Sequence, residues 1–109
     1  MKNVGIDIVE NARVRKVMSD SFALKVLSKE EYEKYKSFNE NRKIEFLAGR
    51  FAVKEAIIKC LSDYEAVVMK DLIVLNNEKG KPEIEYKDYK LYISISHEKN
   101  YTVGIAILD

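Results

Sequence analysis

The chain has 109 residues, 47% of them apolar and 34% charged, and its charges nearly balance to a net +1. This length suits one domain with one core, assigned to residues 1–109, and the balanced charge gives no support for a nucleic-acid-binding protein. No apolar run reaches the roughly 18 residues of a membrane span, and the single cysteine excludes an internal disulfide, so we expect a cytoplasmic protein.

The first predicted element is a strand, because apolar residues alternate from Val4 to Val9. Aspartate is disfavoured inside strands, so Asp7 within this segment needs a reason. It is either a metal ligand or a residue that ends the strand and caps the next element. That next element is predicted as a short basic helix from Asn11 to about Met18.

Two longer helices are predicted in the middle of the chain. Ser28 followed by Glu31 matches the capping box, in which each side chain satisfies a backbone amide at a helix start, so a helix is expected from Lys29 to Ser37. The longest helix is expected from Glu40 to Leu61, because no proline interrupts it and Gly49 is its only weak helix former.

The C-terminal part is predicted to form two hairpins. Leu72–Leu75 and Ile84–Tyr86 flank a connection rich in Asn, Gly and Pro, and Leu91–Ser96 and Tyr101–Ile107 flank a turn at His97–Asn100. One strand, then helices, then hairpins is the order of an α+β domain. We therefore predict a mainly antiparallel sheet packed against a long central helix and shorter helices.

The long helix is predicted to be largely buried, because it is apolar on two sides. Glu55 lies on one of these sides, and an unpaired buried carboxylate costs several kcal/mol, so it needs a cation, a proton or a strong donor. The alternative is an exposed ion pair with Lys59, worth about 0.3 to 0.5 kcal/mol. Paired with Asp7, Glu55 would suit Mg²⁺, which keeps several waters and is completed by substrate phosphate oxygens.

Basic side chains on the long helix are candidates for binding anionic ligand groups near Glu55. They are Arg42, Arg50, Lys54 and Lys59. Guanidinium groups suit bidentate contacts to phosphate, but a solvated charged edge is the alternative. The sole histidine, His97, is either a phosphate donor or simply exposed.

The charge distribution and the missing motifs narrow the function further. Residues 11–59 hold twelve Lys or Arg against seven Asp or Glu, so this half of the chain is suited to an acidic partner. The sequence has no Walker loop, no GxGxxG and no Ser-His-Asp or Cys-His set. A conventional NTPase, dinucleotide enzyme or serine hydrolase is therefore not supported.

Three segments together resemble one family, the holo-acyl-carrier-protein synthase group of phosphopantetheinyl transferases. They are GIDIVE from Gly5, FLAGRFAVKEAIIK from Phe46 and SISHEKNYTVGIAI from Ser94, supported by GKP from Gly80. They occur in the family's order and span almost the whole chain, although Gly104 departs from the family's alanine-rich ending. The resemblance implies Mg²⁺-dependent transfer of 4'-phosphopantetheine from coenzyme A to a serine of apo acyl carrier protein. The implied by-product is adenosine 3',5'-bisphosphate, and the implied pathway is fatty acid biosynthesis.

The resemblance also assigns roles to residues. Asp7 and Glu55 would be the Mg²⁺ ligands and, with Lys59, the catalytic residues. The implied coenzyme A-binding residues are Arg42, Arg50, Lys59, Gly80, Lys81, Pro82 and His97. The implied carrier-docking residues are Arg13, Arg15, Lys16 and Met18. The family is of the bacterial small trimeric type, so a homotrimer with sites between subunits is expected.

Two other functions and one mechanistic choice stay open at this stage. A non-catalytic module that binds an acidic protein would use Asp7 and Glu55 only as structural acids. A regulatory nucleotide-binding domain would hold adenosine bisphosphate without transfer. The general base is either Glu55 or a metal-bound water, and the water is favoured because a carboxylate tied to a metal is a poor base.

Overall fold

The computed structural model describes residues 1–109 and confirms the predicted α+β class. In chain order the elements are β1 (Asn3–Glu10), α1 (Asn11–Val17), α2 (Asp20–Val26), α3 (Lys29–Lys36), α4 (Glu40–Leu61), a 3-10 turn (Met69–Asp71), β2 (Val74–Asn76), β3 (Pro82–Ile84), β4 (Leu91–His97) and β5 (Tyr101–Leu108). Strands β1, β5 and β4 form an antiparallel sheet in that order, and β2 pairs with β3 in a separate two-stranded sheet. None of the helices combines the length and the apolar character that a membrane span requires.

Helix α4 lies at the centre of the molecule, with apolar residues on two sides as its sequence predicted. One core lies between α4 and the main sheet and includes Val53, Ile57 and Ala106. The other lies under the short helices and includes Val26 and Leu47. Because both cores depend on α4, this helix fixes how the short helices sit relative to the sheet.

Two glycines allow the main sheet to approach α4 unusually closely. A Cβ atom added at Gly5 would lie 2.0 Å from the carbonyl oxygen of Ala56, and one added at Gly104 would lie 2.5 Å from the Cα of Val53. Gly104 is the partner of Asp7 in the β1–β5 ladder. The departure at Gly104 noted in the sequence therefore lies where the strand carrying Asp7 and the helix carrying Glu55 are held together.

Most predicted elements are confirmed, with two differences. The capping box of α3 forms with both of its hydrogen bonds. Helix α2 was not predicted, although Ser19 caps it by accepting a hydrogen bond from the Phe22 amide. The first hairpin is shorter than predicted, because its residues before Val74 follow the 3-10 turn and Tyr86 makes only an isolated bridge.

Candidate active site

Asp7 and Glu55 line one hollow of about 480 Å³ between β1, α1, α2 and α4. Asp7 comes from the helix-facing side of β1, where its side chain is 19% exposed. Glu55 comes from the middle of α4 and is half-buried, so it is less enclosed than the two apolar sides of the helix predicted. The fold thus brings together the two carboxylates that were expected to act jointly.

The electrostatics of this hollow favour a bound cation. Burial raises the pKa of the Glu55 carboxyl, the charge of Asp7 raises it further, and Lys59 opposes both effects. The Lys59 ammonium lies 3.2 Å from Asp7 Oδ1 and donates to the carbonyl oxygen of Ile6 at 2.9 Å. Lys59 therefore forms its ion pair with Asp7, and the alternative ion pair between Lys59 and Glu55 is not formed.

The ligand set suits a divalent ion that takes oxygen ligands and keeps open positions. Asp7 and Glu55 offer carboxylate oxygens, and the chain contains no cluster of three or more His, Cys, Asp or Glu side chains arranged to hold a metal. A closed structural zinc site needs four protein ligands, whereas Mg²⁺ is typically held by one or two carboxylates together with water and phosphate. The two residues fit the predicted Mg²⁺ and leave room for a phosphate-bearing substrate.

A second, smaller hollow of about 180 Å³ gathers most of the residues expected to bind coenzyme A. Those that line it are Arg42, Arg50, Gly80, Pro82 and His97. Arg42 Nη1 lies 2.9 Å from Glu45 Oε1, and His97 Nε2 lies 3.5 Å from the same oxygen. The Glu45 carboxylate thus lies between Arg42 and His97 at the place where an anionic ligand was expected. Lys81 is exposed in the adjacent turn and does not line the hollow.

Arg50 is more constrained than the sequence indicated. Its side chain is buried against the Phe46 ring at 4.3 Å, and burial lowers its pKa to about 10, so it stays charged at neutral pH. Its Nε and Nη2 donate to the carbonyl oxygen of Val74, and Nη2 also donates to Asn76 Oδ1. Only Nη1 is left for a ligand, so most of this guanidinium holds strand β2.

The interpretation of Lys54 as a ligand-binding cation is wrong. Its side chain is fully buried and donates to Glu31 Oε1 at 2.5 Å and to the carbonyl oxygen of Val26 at 2.8 Å. Residues on one helix point in different directions, and Lys54 faces the short helices while its neighbour Glu55 faces the first hollow. A charged residue next to a site residue in sequence is therefore not automatically part of that site.

The residues expected to dock a carrier protein lie on and just after α1. Arg13, Arg15 and Lys16 are exposed, and Met18 is half-buried against the core under the short helices. Arg13 lines the hollow that contains Asp7 and Glu55, whereas Arg15 lines a different one beside His97. The basic surface of α1 is thus divided between two sides, and Arg13 is on the side of the two acids.

Comparison with known proteins identifies the family. The sequence model of the 4'-phosphopantetheinyl transferase superfamily matches residues 3–106 of this chain. A holo-[acyl-carrier-protein] synthase of Mycoplasma capricolum is 45% identical over 108 residues, which is 98% of this chain and 94% of the relative. The chain belongs to this superfamily. A second synthase, from Staphylococcus carnosus, is 40% identical over 97% of this chain and 95% of its own.

Solved structures of holo-acyl-carrier-protein synthases confirm the fold and the enzyme class. The Bacillus anthracis synthase in complex with CoA (3',5'-ADP) superposes with a TM-score of 0.89 at 34% identity, covering 98% of this chain and 95% of its own. The Helicobacter pylori synthase in complex with coenzyme A gives a TM-score of 0.82 at 27% identity, covering 97% and 99%. The predicted membership of the holo-acyl-carrier-protein synthase group is thus confirmed, and the chain is a phosphopantetheinyl transferase.

Sequence reasoning missed two features of this transferase. Glu45 contacts both Arg42 and His97, and nothing in its exposed helical position signalled that. Glu31 was recognised only as a capping residue, yet it also pairs with Lys54 and accepts from the Val74 amide. The capping box was a local signal for Glu31, but its two other partners come from distant parts of the chain.

Proposed function

We propose that this cytoplasmic enzyme catalyses Mg²⁺-dependent transfer of 4'-phosphopantetheine from coenzyme A to a serine of apo acyl carrier protein in fatty acid biosynthesis, releasing adenosine 3',5'-bisphosphate. The observation that carries the proposal is the pair of mutually repelling carboxylates, Asp7 and Glu55, in one hollow of a family member. Relatives with the same fold bind coenzyme A, which supports the same substrate here.

Asp7 and Glu55 would hold Mg²⁺, which when bound supplies Lewis-acid stabilisation of the charge that develops on the pyrophosphate. Lys59 has two tasks in this proposal. Through its contacts with Asp7 and the Ile6 carbonyl it fixes the Asp7 carboxylate, and its 53% exposed side chain leaves the ammonium able to approach a pyrophosphate oxygen. As the serine oxygen bonds to phosphorus and the bond to the leaving adenosine 3',5'-bisphosphate breaks, the serine proton is proposed to pass through a water held by Asp7 or Glu55 to the solvent, since a carboxylate engaged by a cation is a poor base.

The second hollow, called the nucleotide hollow, would bind the nucleotide end of coenzyme A, including its 3'-phosphate. A phosphate entering it would replace Glu45 as the partner of Arg42 and His97, and Arg50 Nη1 would add a third donor. Gly80 has a φ of 85° and nothing within 4 Å of an added Cβ, so its backbone is open to a ligand. Lys81 and Pro82 follow directly, and exposed Lys81 is proposed to contact the phosphates from the rim.

The carrier protein is proposed to dock on α1 through Arg13, Arg15, Lys16 and Met18. Arg13 lines the same hollow as the two acids, so an acidic carrier held there would present its serine to the pyrophosphate. Arg13→Glu should therefore raise the KM for the carrier by about tenfold or more while leaving the KM for coenzyme A nearly unchanged. Equal effects on both would contradict this docking surface.

The enzyme is proposed to form a homotrimer with active sites between subunits. The face of the main sheet turned away from α4 exposes large apolar side chains, which mark association surfaces when they are contiguous. On β1 they are Val4, Ile6 and Ile8, which are 46%, 58% and 61% exposed. Native mass spectrometry should show three chains per particle, and Ile6→Lys should dissociate it. A monomeric wild-type protein with full transfer activity would contradict the trimer.

Mass spectrometry of an apo carrier protein tests the activity itself. Incubation with this enzyme, coenzyme A and Mg²⁺ should add the phosphopantetheine mass to the carrier, and a chelator should prevent it. A non-catalytic module would bind the carrier without the mass gain. A regulatory nucleotide-binding domain would bind adenosine 3',5'-bisphosphate and likewise add nothing, so either result would overturn the proposal.

A further inference from the structure

The molecule contains one fully enclosed ion pair that the proposed chemistry does not use. Glu31 of α3 and Lys54 of α4 have side chains with no exposed area, and their charged atoms lie 2.5 Å apart. Glu31 Oε1 also accepts from the Ser28 amide at 2.7 Å, and the Lys54 ammonium donates to the Val26 carbonyl. The pair therefore joins the end of α2, the start of α3 and the middle of α4.

The other carboxylate oxygen of Glu31 reaches the first hairpin. Glu31 Oε2 accepts a hydrogen bond from the Val74 amide at 2.7 Å. The carbonyl oxygen of the same residue accepts from Arg50 Nε and Nη2 at 3.3 and 3.1 Å. Strand β2 pairs with β3 alone, so its second edge has no neighbouring strand. The buried side chains of Glu31 and Arg50 thus bond to the backbone of Val74, where a neighbouring strand would otherwise do so.

The position of β2 affects the nucleotide hollow directly. Asn76, two residues after Val74, accepts from Arg50 Nη2 at 3.1 Å. Asn76, Arg50 and Gly80 all line that hollow, whereas neither Glu31 nor Lys54 lines the hollow of Asp7 and Glu55. A displacement of β2 would thus move one wall of the nucleotide hollow and leave the two acids in place.

Stability alone does not require a charged pair at this position. Replacing a buried ion pair by apolar side chains of similar volume is often neutral or stabilising. An apolar pair, however, offers no acceptor for the Val74 amide. The carboxylate of Glu31 is oriented by Lys54 and Ser28 so that its free oxygen meets that amide.

We propose that Glu31, oriented by Lys54, is a positioning residue that holds β2 and Arg50 in the geometry that recognises the 3'-phosphate of coenzyme A. The inference rests on the proposed function. Glu31 touches no substrate and acts through Val74 and Arg50. Its loss should therefore reduce the distinction between coenzyme A and 3'-dephospho-coenzyme A, and should affect substrate binding more than the transfer step.

The test compares kcat and KM for these two substrates in Glu31→Gln, with saturating carrier protein. Glutamine keeps the shape but has one acceptor oxygen, so it cannot serve both Lys54 and Val74. The KM for coenzyme A should rise about tenfold, the equivalent of about 1.4 kcal/mol. The KM for 3'-dephospho-coenzyme A and both kcat values should stay within about twofold. Glu30→Gln, an exposed neighbour on the same helix, is the matched control and should change neither KM.

A second variant keeps the test decisive if Glu31→Gln does not fold. The double substitution Glu31→Leu with Lys54→Met restores an apolar interior but still lacks an acceptor for Val74, so it should show the same selective rise in KM. An equal rise for both substrates, or a fall in kcat with unchanged KM, would overturn the inference. So would a wild-type enzyme that transfers from both substrates equally well. A wild-type protein that transfers nothing would instead overturn the proposed function.

Discussion

Helix α4 carries two charged centres, one complete and one incomplete. At Lys54 the charge is fully buried, and every polar atom of the Glu31–Lys54 pair has a partner within the chain. At Glu55, the next residue, the carboxyl is half-buried, and the charge of a second carboxyl, that of Asp7, acts on it more strongly than the opposing charge of Lys59. The Glu31–Lys54 pair, the complete centre, needs no partner from outside the chain. The Asp7–Glu55 pair, the incomplete centre, would be stabilised by a bound cation.

The pKa shifts express the same contrast. Burial lowers the pKa of Lys54, and the charge of Glu31 and the hydrogen bond that Lys54 donates to it act in the opposite direction. Burial raises the pKa of Glu55, the charge of Asp7 acts in the same direction, and the weaker effect of Lys59 opposes both. Glu31 therefore offsets the cost of burying the charge of Lys54, whereas Asp7 adds to the cost of burying the charge of Glu55. A charged group whose neighbour further disfavours its charged form is a stronger sign of a functional site than burial of that group alone.

The largest expected effect is on catalysis at the incomplete centre. Glu55→Gln should lower kcat/KM for transfer by about a thousandfold or more, the equivalent of about 4 kcal/mol, because it removes one of two carboxylates proposed to hold Mg²⁺. Steady-state assays with an apo carrier protein measure the change. Glu40→Gln, at the exposed start of the same helix, should keep wild-type activity. Full activity of Glu55→Gln would remove Glu55 from the site.

Substitutions at the complete centre, Glu31 and Lys54, should change the free energy of unfolding. Glu31→Ala should lower the free energy of unfolding by about 3 to 5 kcal/mol, because it leaves the buried Lys54 ammonium uncompensated. Glu31→Leu combined with Lys54→Met should lose less than Glu31→Ala, because it leaves the Ser28 and Val74 amides without an acceptor but leaves no unpaired buried charge. Urea denaturation of the three proteins gives these values. If the double variant lost as much as the single one, the pair itself would not be the source of the effect.

Local sequence signals were sufficient for most elements and for the two acids. The capping box at Ser28 located the start of α3, and apolar alternation located β1 and the last hairpin. Aspartate within a strand singled out Asp7, and the apolar surroundings of Glu55 singled out the other acid. The family resemblance joined them, because the spacing of two residues so far apart in sequence does not show that they meet.

Contacts between residues far apart in the chain could not be predicted from the sequence. Nothing in the chain indicated that Lys54 would turn toward Glu31, because the pair depends on how α3 packs on α4. The seven-residue helix α2 was missed because so short a segment depends on tertiary packing more than on its own pattern. The bonds of Arg50 to β2 were hidden for the same reason, so the sequence did not show that most of its guanidinium group is engaged within the chain.

A smaller effect is expected where the sheet touches α4. Gly104→Ala should lower the free energy of unfolding by about 1 to 3 kcal/mol, because the new methyl group would collide with the helix backbone at Val53. The same displacement should move Asp7, the partner of Gly104, away from Glu55 and reduce activity. Gly49→Ala is the matched control, since its methyl group would lie 3.4 Å from Ile95 and alanine favours the helix. Equal destabilisation by both changes would argue against close backbone contact as the cause.

The smallest effect is a dependence of stability on pH at the incomplete centre. Because the pKa of Glu55 is raised in the folded protein, the folded state binds its proton more tightly than the unfolded state does. This contribution to stability is complete below the ordinary carboxyl pKa and is lost as the pH rises through the raised value. Glutamine cannot ionise, so in a chelator at neutral pH Glu55→Gln should melt slightly higher than the wild type. The gain is small because the half-exposed carboxyl is screened by water.

Lowering the pH and adding Mg²⁺ should each remove this advantage of Glu55→Gln. As the pH falls below the ordinary carboxyl pKa, the melting temperatures of the two proteins should converge, because Glu55 is then protonated in both the folded and the unfolded state. At neutral pH, Mg²⁺ should raise the melting temperature of the wild type more than that of the variant, since a ligand stabilises the state that binds it. Glu31→Gln retains both acids of the incomplete centre, so its response to Mg²⁺ should equal that of the wild type. A response of Glu55→Gln as large as that of the wild type would place the ion elsewhere and end the contrast between the two centres.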